Sequence, residues 1–319
     1  MASINVRPLQ DDLSFGARVS GVTQELLQDE AVRRELNDIF EDRGMIVFED
    51  LEPTGQMHVA LSNVFGPLKD HPVKTVGRVD QDTMPGVIDM QHNKADPILV
   101  ELDGQVLAQW LPWHFDHCYN NELNRAGVLR AIDIPPEGGL TGFCDGVDLY
   151  RAFSPELRQQ IEDREIVYTL NVVYDEWKFG RPATFKSLHT RADAIEMNQY
   201  AKTLPRAVHP AVWTRKDGRK VMHLSPWMAE AISGQETPEG DALLEAASQE
   251  VFRKAQAYFH QWKPTDMLIW DNWRMLHCVN GADPRFDRRM HRTTIKGDYG
   301  LGRFEEGAAG AALLEDTMV

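Results

Sequence analysis

A mainly β fold with flanking helices is what this sequence predicts, on three observations. Between about 105 and 145 the chain breaks into short apolar stretches separated by glycine turns. Two further strand-like segments, Met267–Asp271 and about 289–297, lie late in the chain. Helical periodicity is clear in only a few segments, enough to flank a sheet core but not to replace it.

The elements follow in order. Residues 4–20 alternate loosely, as a strand with a turn near Gly16. The stretch Glu30–Arg43 has helical character, ends at Gly44 and leads into an apolar strand, Met45-Ile46-Val47-Phe48. Next comes an amphipathic helix in which Met57, Ala60, Leu61, Val64 and Phe65 recur at i, i+3, i+4, i+7 and i+8, stopped by Gly66-Pro67. The polar and aromatic stretch from about 170 to 240 has poor periodicity, and reads as an insertion of loops and short strands that could form a lid. A second helix is predicted over 241–262, where Leu243, Leu244, Ala247, Val251, Phe252, Ala255, Tyr258, Phe259 and Trp262 share one broad face, with Lys263-Pro264 ending it. With no internal repeat and no linker, residues 1–304 are expected to form a single domain, followed by a mobile tail over 305–319.

A formal net charge of −15 disfavours nucleic acid and anionic membranes as partners, so the basic run at 285–292 reads as a local anion site. Cys118, Cys144 and Cys278 are sparse, odd in number and without metal-finger spacing, which suits a reducing compartment. The first residues lack an apolar signal core and no stretch is long and apolar enough to span a bilayer, so the cytoplasm is the expected location.

The chemistry is concentrated in three places: Trp113-His114-Phe115-Asp116, Trp270-Asp271-Asn272 with His277, and Arg288-Arg289-Met290-His291-Arg292. On a strand, His114 and Asp116 fall on one face because side chains alternate. A second imidazole from a distant strand would complete two histidines and one carboxylate on one side of a metal, the set used by non-heme Fe(II) oxygenases. Alone, His114-x-Asp116 reads better as a buried pair across a pleat, and His277 as a core or boundary histidine. The combination with two arginines 11 and 15 residues beyond His277 is what points to an enzyme.

With these motifs, with Gly138-Gly139-Leu140-Thr141, and with matches running from Val6-Arg7-Pro8-Leu9 through Phe65-Gly66-Pro67-Leu68 to Ile295-Lys296-Gly297-Asp298, the chain resembles the taurine/2,4-dichlorophenoxyacetate (TauD/TfdA-like) family of Fe(II)- and 2-oxoglutarate-dependent dioxygenases. The resemblance implies a double-stranded β-helix (jelly roll) with helices outside and iron between two sheets. It implies His114, Asp116 and His277 as ligands of Fe(II), and Thr141 with Arg288 as the seat of the distal carboxylate of 2-oxoglutarate. O2 would be the oxidant, with succinate and CO2 released, and the presence of Asp116 favours hydroxylation over halogenation. Arg292 shares strand parity with Arg288 and would hold an anionic group of the substrate, and His71 matches a substrate-contacting histidine. Lys74, Trp110 and His223 stand where the taurine enzymes carry other residues, and are read as substrate-binding positions that favour a bulkier or flatter compound.

The expected partner is thus a small anionic organic compound, such as a sulfonate, carboxylate or aryloxy acid, whose hydroxylation could lead to cleavage. The alternatives are a tailoring hydroxylase or desaturase of a natural product or amino acid and, more distantly, a zinc hydrolase or binding module. Against the last, the sequence contains no His-Glu-x-x-His motif, and such a protein has no need for Thr141 with Arg288. Family members are often dimers or tetramers, so a homo-oligomer is expected.

Overall fold

The helix Glu30–Arg43 begins where the Asp29 side chain accepts from the Ala31 N–H, a cap worth about 1 kcal/mol, and ends at Gly44 in the left-handed region (φ 77°). That reversal feeds Met45–Phe48 directly into a sheet. In this computed structural model, which describes residues 3–69, 77–79, 84 and 86–307, the strand lies inside a seven-stranded sheet. Its order is Asn5–Pro8, Ala17–Ser20, Met45–Phe48, Met267–Asp271, Ala126–Asp133, Arg289–Ile295 and Ile88–Gln91. Only the contact between Ala17–Ser20 and Met45–Phe48 is parallel.

A six-stranded sheet stands opposite, in the order Lys186–His189, Leu99–Leu102, Gln105–His114, Met275–Ala282, Thr141–Asp145 and Tyr258–His260. The two inner faces meet through Phe143 and Met275 on one side and Leu129, Leu268, Trp270 and Met290 on the other. The outer face of the seven-stranded sheet is sealed by the helices Glu30–Arg43 and Gly55–Phe65, whose Leu36, Phe40, Leu61 and Phe65 join Ile46, Phe48, Val128 and Ile269. The outer face of the six-stranded sheet meets the helix Pro238–Lys254 and the 165–232 region. The protein is mostly β with few helices, and no helix among the described residues is long and apolar enough to cross a membrane.

Two expectations are corrected. The second helix does not run over 241–262. It starts at Pro238 behind a Thr237 cap and stops at Lys254, and Tyr258–His260 becomes the edge strand beside Thr141–Asp145. In this strand Tyr258 and His260 are buried and Phe259 is exposed, a period of two that the apolar run had disguised as a helical face. The 170–240 region is also more regular than predicted. It contains the helix Ala192–Ala201, and its strands Ala207–Pro210 and Ala229–Ile232 flank Glu165–Tyr168 in a four-stranded sheet completed by Arg303–Phe304.

Two histidines buried in the core predict a pH response. Burial pushes His58 down to about 3 and His209 down to about 4, while each keeps a bond to a backbone carbonyl, Val128 and Asn120 respectively. Their folded values lie below the ordinary imidazole value of 6.5, so the stability they contribute is complete above that pH and is lost as the pH falls toward their folded values. Each should steepen the loss by about 1.4 kcal/mol per pH unit within that window. Urea unfolding at pH 7 and pH 5 measures this, and His209→Asn should flatten the pH slope. Equal slopes for wild type and variant would contradict it.

Candidate metal centre

The centre is built by one register. In the pairing of Gln105–His114 with Met275–Ala282, His277 and His114 are direct Cα partners, so their imidazoles leave the same face with ring centroids 4.0 Å apart. Asp116 follows two residues after His114, and its Oδ1 lies 3.6 Å from His277 Nε2. Ligand atoms of the three residues fall within 4.8 Å of one another, and all three side chains are buried. Among the described residues this is the one such group.

The shell around the ligands fixes their orientation. His114 Nδ1 sits 2.7 Å from the Pro112 carbonyl oxygen, which makes it the protonated nitrogen and leaves Nε2 as the metal-facing donor. Asn272 holds Asp116 by its backbone: Oδ1 accepts from the Asp116 N–H at 2.7 Å, and Nδ2 donates to the Asp116 carbonyl at 3.0 Å and to Asn124 Oδ1 at 3.1 Å. The turn carrying Asn272 is anchored by buried ion pairs, Arg215 with Asp271 and Arg274 with Asp145. Burial drives the basicity of His114 and His277 down, which keeps both imidazoles neutral and able to ligate. Burial is the largest single influence on Asp116 and would raise it, but the Arg292 guanidinium together with His277, His117 and His114 outweighs it and holds the carboxyl well below its usual range.

The residues fit a metal. Asp116 Oδ2 is buried without a partner, which is costly unless a cation takes it up. Arg288 is also buried, pushed down to about 10 by loss of solvent, and forms no ion pair among the described residues. Its Nε donates to the Gly139 carbonyl and its Nη2 lies 3.5 Å from Thr141 Oγ1, which also receives the Trp262 indole N–H. A carboxylate is what this cation lacks.

The structure brings together His114, Asp116, His277, Thr141, Arg288 and Arg292. Arg292 Nη1 donates to Asp116 Oδ1 at 2.9 Å, Nη2 reaches Thr294 Oγ1, and Nε is buried without a partner. His71 and Lys74 lie outside the described residues. Trp110 and His223 do not line the centre, and both expectations are corrected. Between the pairs Leu111–Val279 and His114–His277, two residues, Pro112 and Trp113, face one, Cys278, which makes a bulge. It reverses the parity, so Trp110 pairs with Asn280 on the outer face and packs against Tyr174, Trp177 and Phe185. His223 stacks on Phe115 at 3.8 Å, and Phe115 points away from the metal because it sits between two ligands. Burial pushes His223 down to about 3.

Trp270 comes within 4.9 Å of His277 from the facing sheet, and from outside both sheets the centre is reached by Trp227, edge-on to His114 at 5.0 Å, with a buried indole N–H that has no acceptor. Sequence reasoning missed it. The only available signal was a tryptophan four residues past His223, in a segment without usable periodicity.

Two facing sheets, a two-histidine, one-carboxylate centre and an unpaired arginine define a mononuclear non-heme iron oxygenase. A family model described as "Taurine catabolism dioxygenase TauD, TfdA family" matches residues 5–294, and the chain belongs to that family. It is 28% identical to an (S)-phenoxypropionate/alpha-ketoglutarate-dioxygenase of Sphingobium herbicidovorans over 93% of this chain and 96% of that one. It is 24% identical to an alpha-ketoglutarate-dependent 2,4-dichlorophenoxyacetate dioxygenase of Cupriavidus pinatubonensis, over 83% and 88% of the two chains. The crystal structure of a taurine dioxygenase from Burkholderia xenovorans superposes with a TM-score of 0.68 at 24% identity, covering 98% and 99%. The protein is therefore an Fe(II)- and 2-oxoglutarate-dependent dioxygenase, with Fe(II) as cofactor and 2-oxoglutarate and O2 as co-substrates.

The clamp on Asp116 yields a prediction. Asn272→Ala should weaken Co(II) or Fe(II) binding about 10- to 100-fold, the usual cost of losing a residue that orients a ligand. Titration calorimetry on variant protein with unchanged circular dichroism measures it. Wild-type affinity in that variant would show the clamp to be irrelevant to the metal.

Proposed function

We propose that the chain hydroxylates a small anionic organic compound, an aryloxy carboxylic acid or a sulfonate, with cleavage following where the attacked carbon bears a heteroatom. In this reading His114, Asp116 and His277 hold Fe(II), Arg288 and Thr141 seat the distal carboxylate of 2-oxoglutarate, and Arg292 takes the acidic group of the substrate. The facing sheets form the walls of a double-stranded β-helix. The observation that carries the reading is Arg288, a buried guanidinium against Gly139 and Thr141 that forms no ion pair among the described residues. The acidic compounds named for the relatives support the substrate class.

The bound iron supplies O2 activation coupled to decarboxylation of 2-oxoglutarate. The chain's residues do the rest. Arg288 offers two nitrogens in a fixed fork, and Thr141 adds a hydroxyl, so the distal carboxylate is fixed in position and in register. Pro112 and Asn272 hold the ligands so that no reorganisation is needed when the co-substrate arrives. Arg292 keeps Asp116 ionised through Nη1 while its unpartnered Nε remains available to an incoming anion. Trp227 presents an apolar face for a flat or bulky body and an indole N–H for one acceptor oxygen.

Arg288→Ala should raise the 2-oxoglutarate KM about 10- to 100-fold, in line with losing charge-assisted bonds of about 1.5–3 kcal/mol. Arg292→Ala, assayed at saturating Fe(II) because Nη1 also holds Asp116, should impair chiefly the prime substrate. If both variants change only 2-oxoglutarate use, the role given to Arg292 is wrong. The direct test is succinate release with Fe(II), O2 and ascorbate across sulfonates, aryloxy acids, sulfate esters and amino acids, with His114→Ala as control. Stimulation by an organic acid in wild type alone is the expected outcome. Stimulation only by a neutral compound would overturn the substrate class.

A further inference from the structure

Ring contacts continue outward from the metal centre on one side and stop on the other. Trp227 lies 5.0 Å from His114, Tyr174 lies 6.2 Å from Trp227, Trp110 lies 5.8 Å from Tyr174, and Trp177 lies 5.8 Å from Trp110, all between ring centroids. At these separations neighbouring rings are at or near van der Waals contact. Trp110 is 7% exposed and lines a surface groove of about 300 Å³ with Trp113, Phe252 and Phe259. Trp270 is just as near the centre, 4.9 Å from His277, but its other ring neighbour among the described residues is Phe143. Phenylalanine is far harder to oxidise than tryptophan or tyrosine, so Trp270 leads nowhere.

We propose that Trp227, Tyr174, Trp110 and Trp177 form an electron relay that drains oxidising equivalents from the centre when no substrate C–H bond is in place. The physical basis is that tunnelling falls exponentially with separation, and each gap in this series is short. In each event Trp227 gives one electron toward the metal and takes one from Tyr174, which takes one from Trp110. Trp110 is refilled, directly or by way of Trp177, by a water-soluble one-electron donor of the ascorbate class at the groove. The donor is oxidised by one electron, and the O2-derived oxidant at the metal is reduced by one, with a solvent proton accompanying each electron toward water. The Tyr174 hydroxyl donates to the Trp110 carbonyl oxygen, so its proton can shift along that bond as the ring is oxidised and return when it is refilled. The relay rests on the iron and 2-oxoglutarate activity of the family and does not depend on which compound is the substrate.

The test uses the Fe(II)-loaded enzyme with 2-oxoglutarate and O2, without prime substrate, at conditions where succinate is released. Rapid-freeze paramagnetic resonance looks for a tryptophan or tyrosine radical, and peptide mass mapping locates added oxygen. Breaking the chain with Trp110→Phe should raise oxygen incorporation at Trp227 and Tyr174 several-fold, remove the protective effect of ascorbate, and leave Trp270 at the wild-type level. Tyr174→Phe, which keeps the ring and its packing, should do the same at Trp227 and serves if Trp110→Phe folds poorly. Three results would overturn the relay: identical oxidation maps in wild type and both variants, an equal rise at Trp270, or succinate release in wild type with neither a radical nor any ascorbate-sensitive oxidation.

Discussion

The backbone pairing that sets His277 opposite His114 is the constraint on which the rest depends. Two imidazoles cannot converge on one cation unless their strands are held in that register, and a slip of one residue would turn one ring to the opposite face. The register is held from both ends. Beyond His277 the Asn272 side chain replaces a missing ladder partner for the backbone of Asp116. Before His114 a bulge absorbs Pro112, which could not have donated to the ladder. Strand geometry therefore positions the metal site, and the loops only close it.

Local signals were legible where local chemistry decides the outcome. The helix Glu30–Arg43 matched its expected bounds because a capping aspartate and a left-handed glycine define its ends. His114, Asp116 and His277 converge as the sequence suggested, but period two does not place Asp116: the strand ends at His114, and Asp116 lies in the turn beyond it, held by Asn272. The placement of Trp110 failed for the same period, because the bulge that reverses it belongs to a cross-strand pairing with residues about 170 positions away. His223 was taken for a pocket residue in place of Trp227, since nothing local tells which of two nearby rings faces inward. The helix end at Lys254 was missed because edge pairing with Thr141–Asp145 outweighed a continuous apolar face.

Electrostatics at the centre work by leaving charges incomplete. Buried imidazoles are kept neutral, Arg292 helps keep the carboxylate ionised, and Arg288 has no acid among the described residues. Each arrangement costs stability in the empty protein. Each becomes favourable when a dication and a dicarboxylate arrive together, so selectivity for that pair is written into the unfilled charges.

The two halves of the centre also come from different sheets. His114, His277 and Thr141 belong to the six-stranded sheet, whereas Arg292 and, at its edge, Arg288 belong to the seven-stranded one, and Asp116–Arg292 is the bond across the gap. Trp227 comes from neither, but from the segment leading into the smaller four-stranded sheet. A lineage can therefore exchange the wall that meets the substrate while inheriting the redox centre intact, so diversification is cheap on one side of the iron and nearly forbidden on the other.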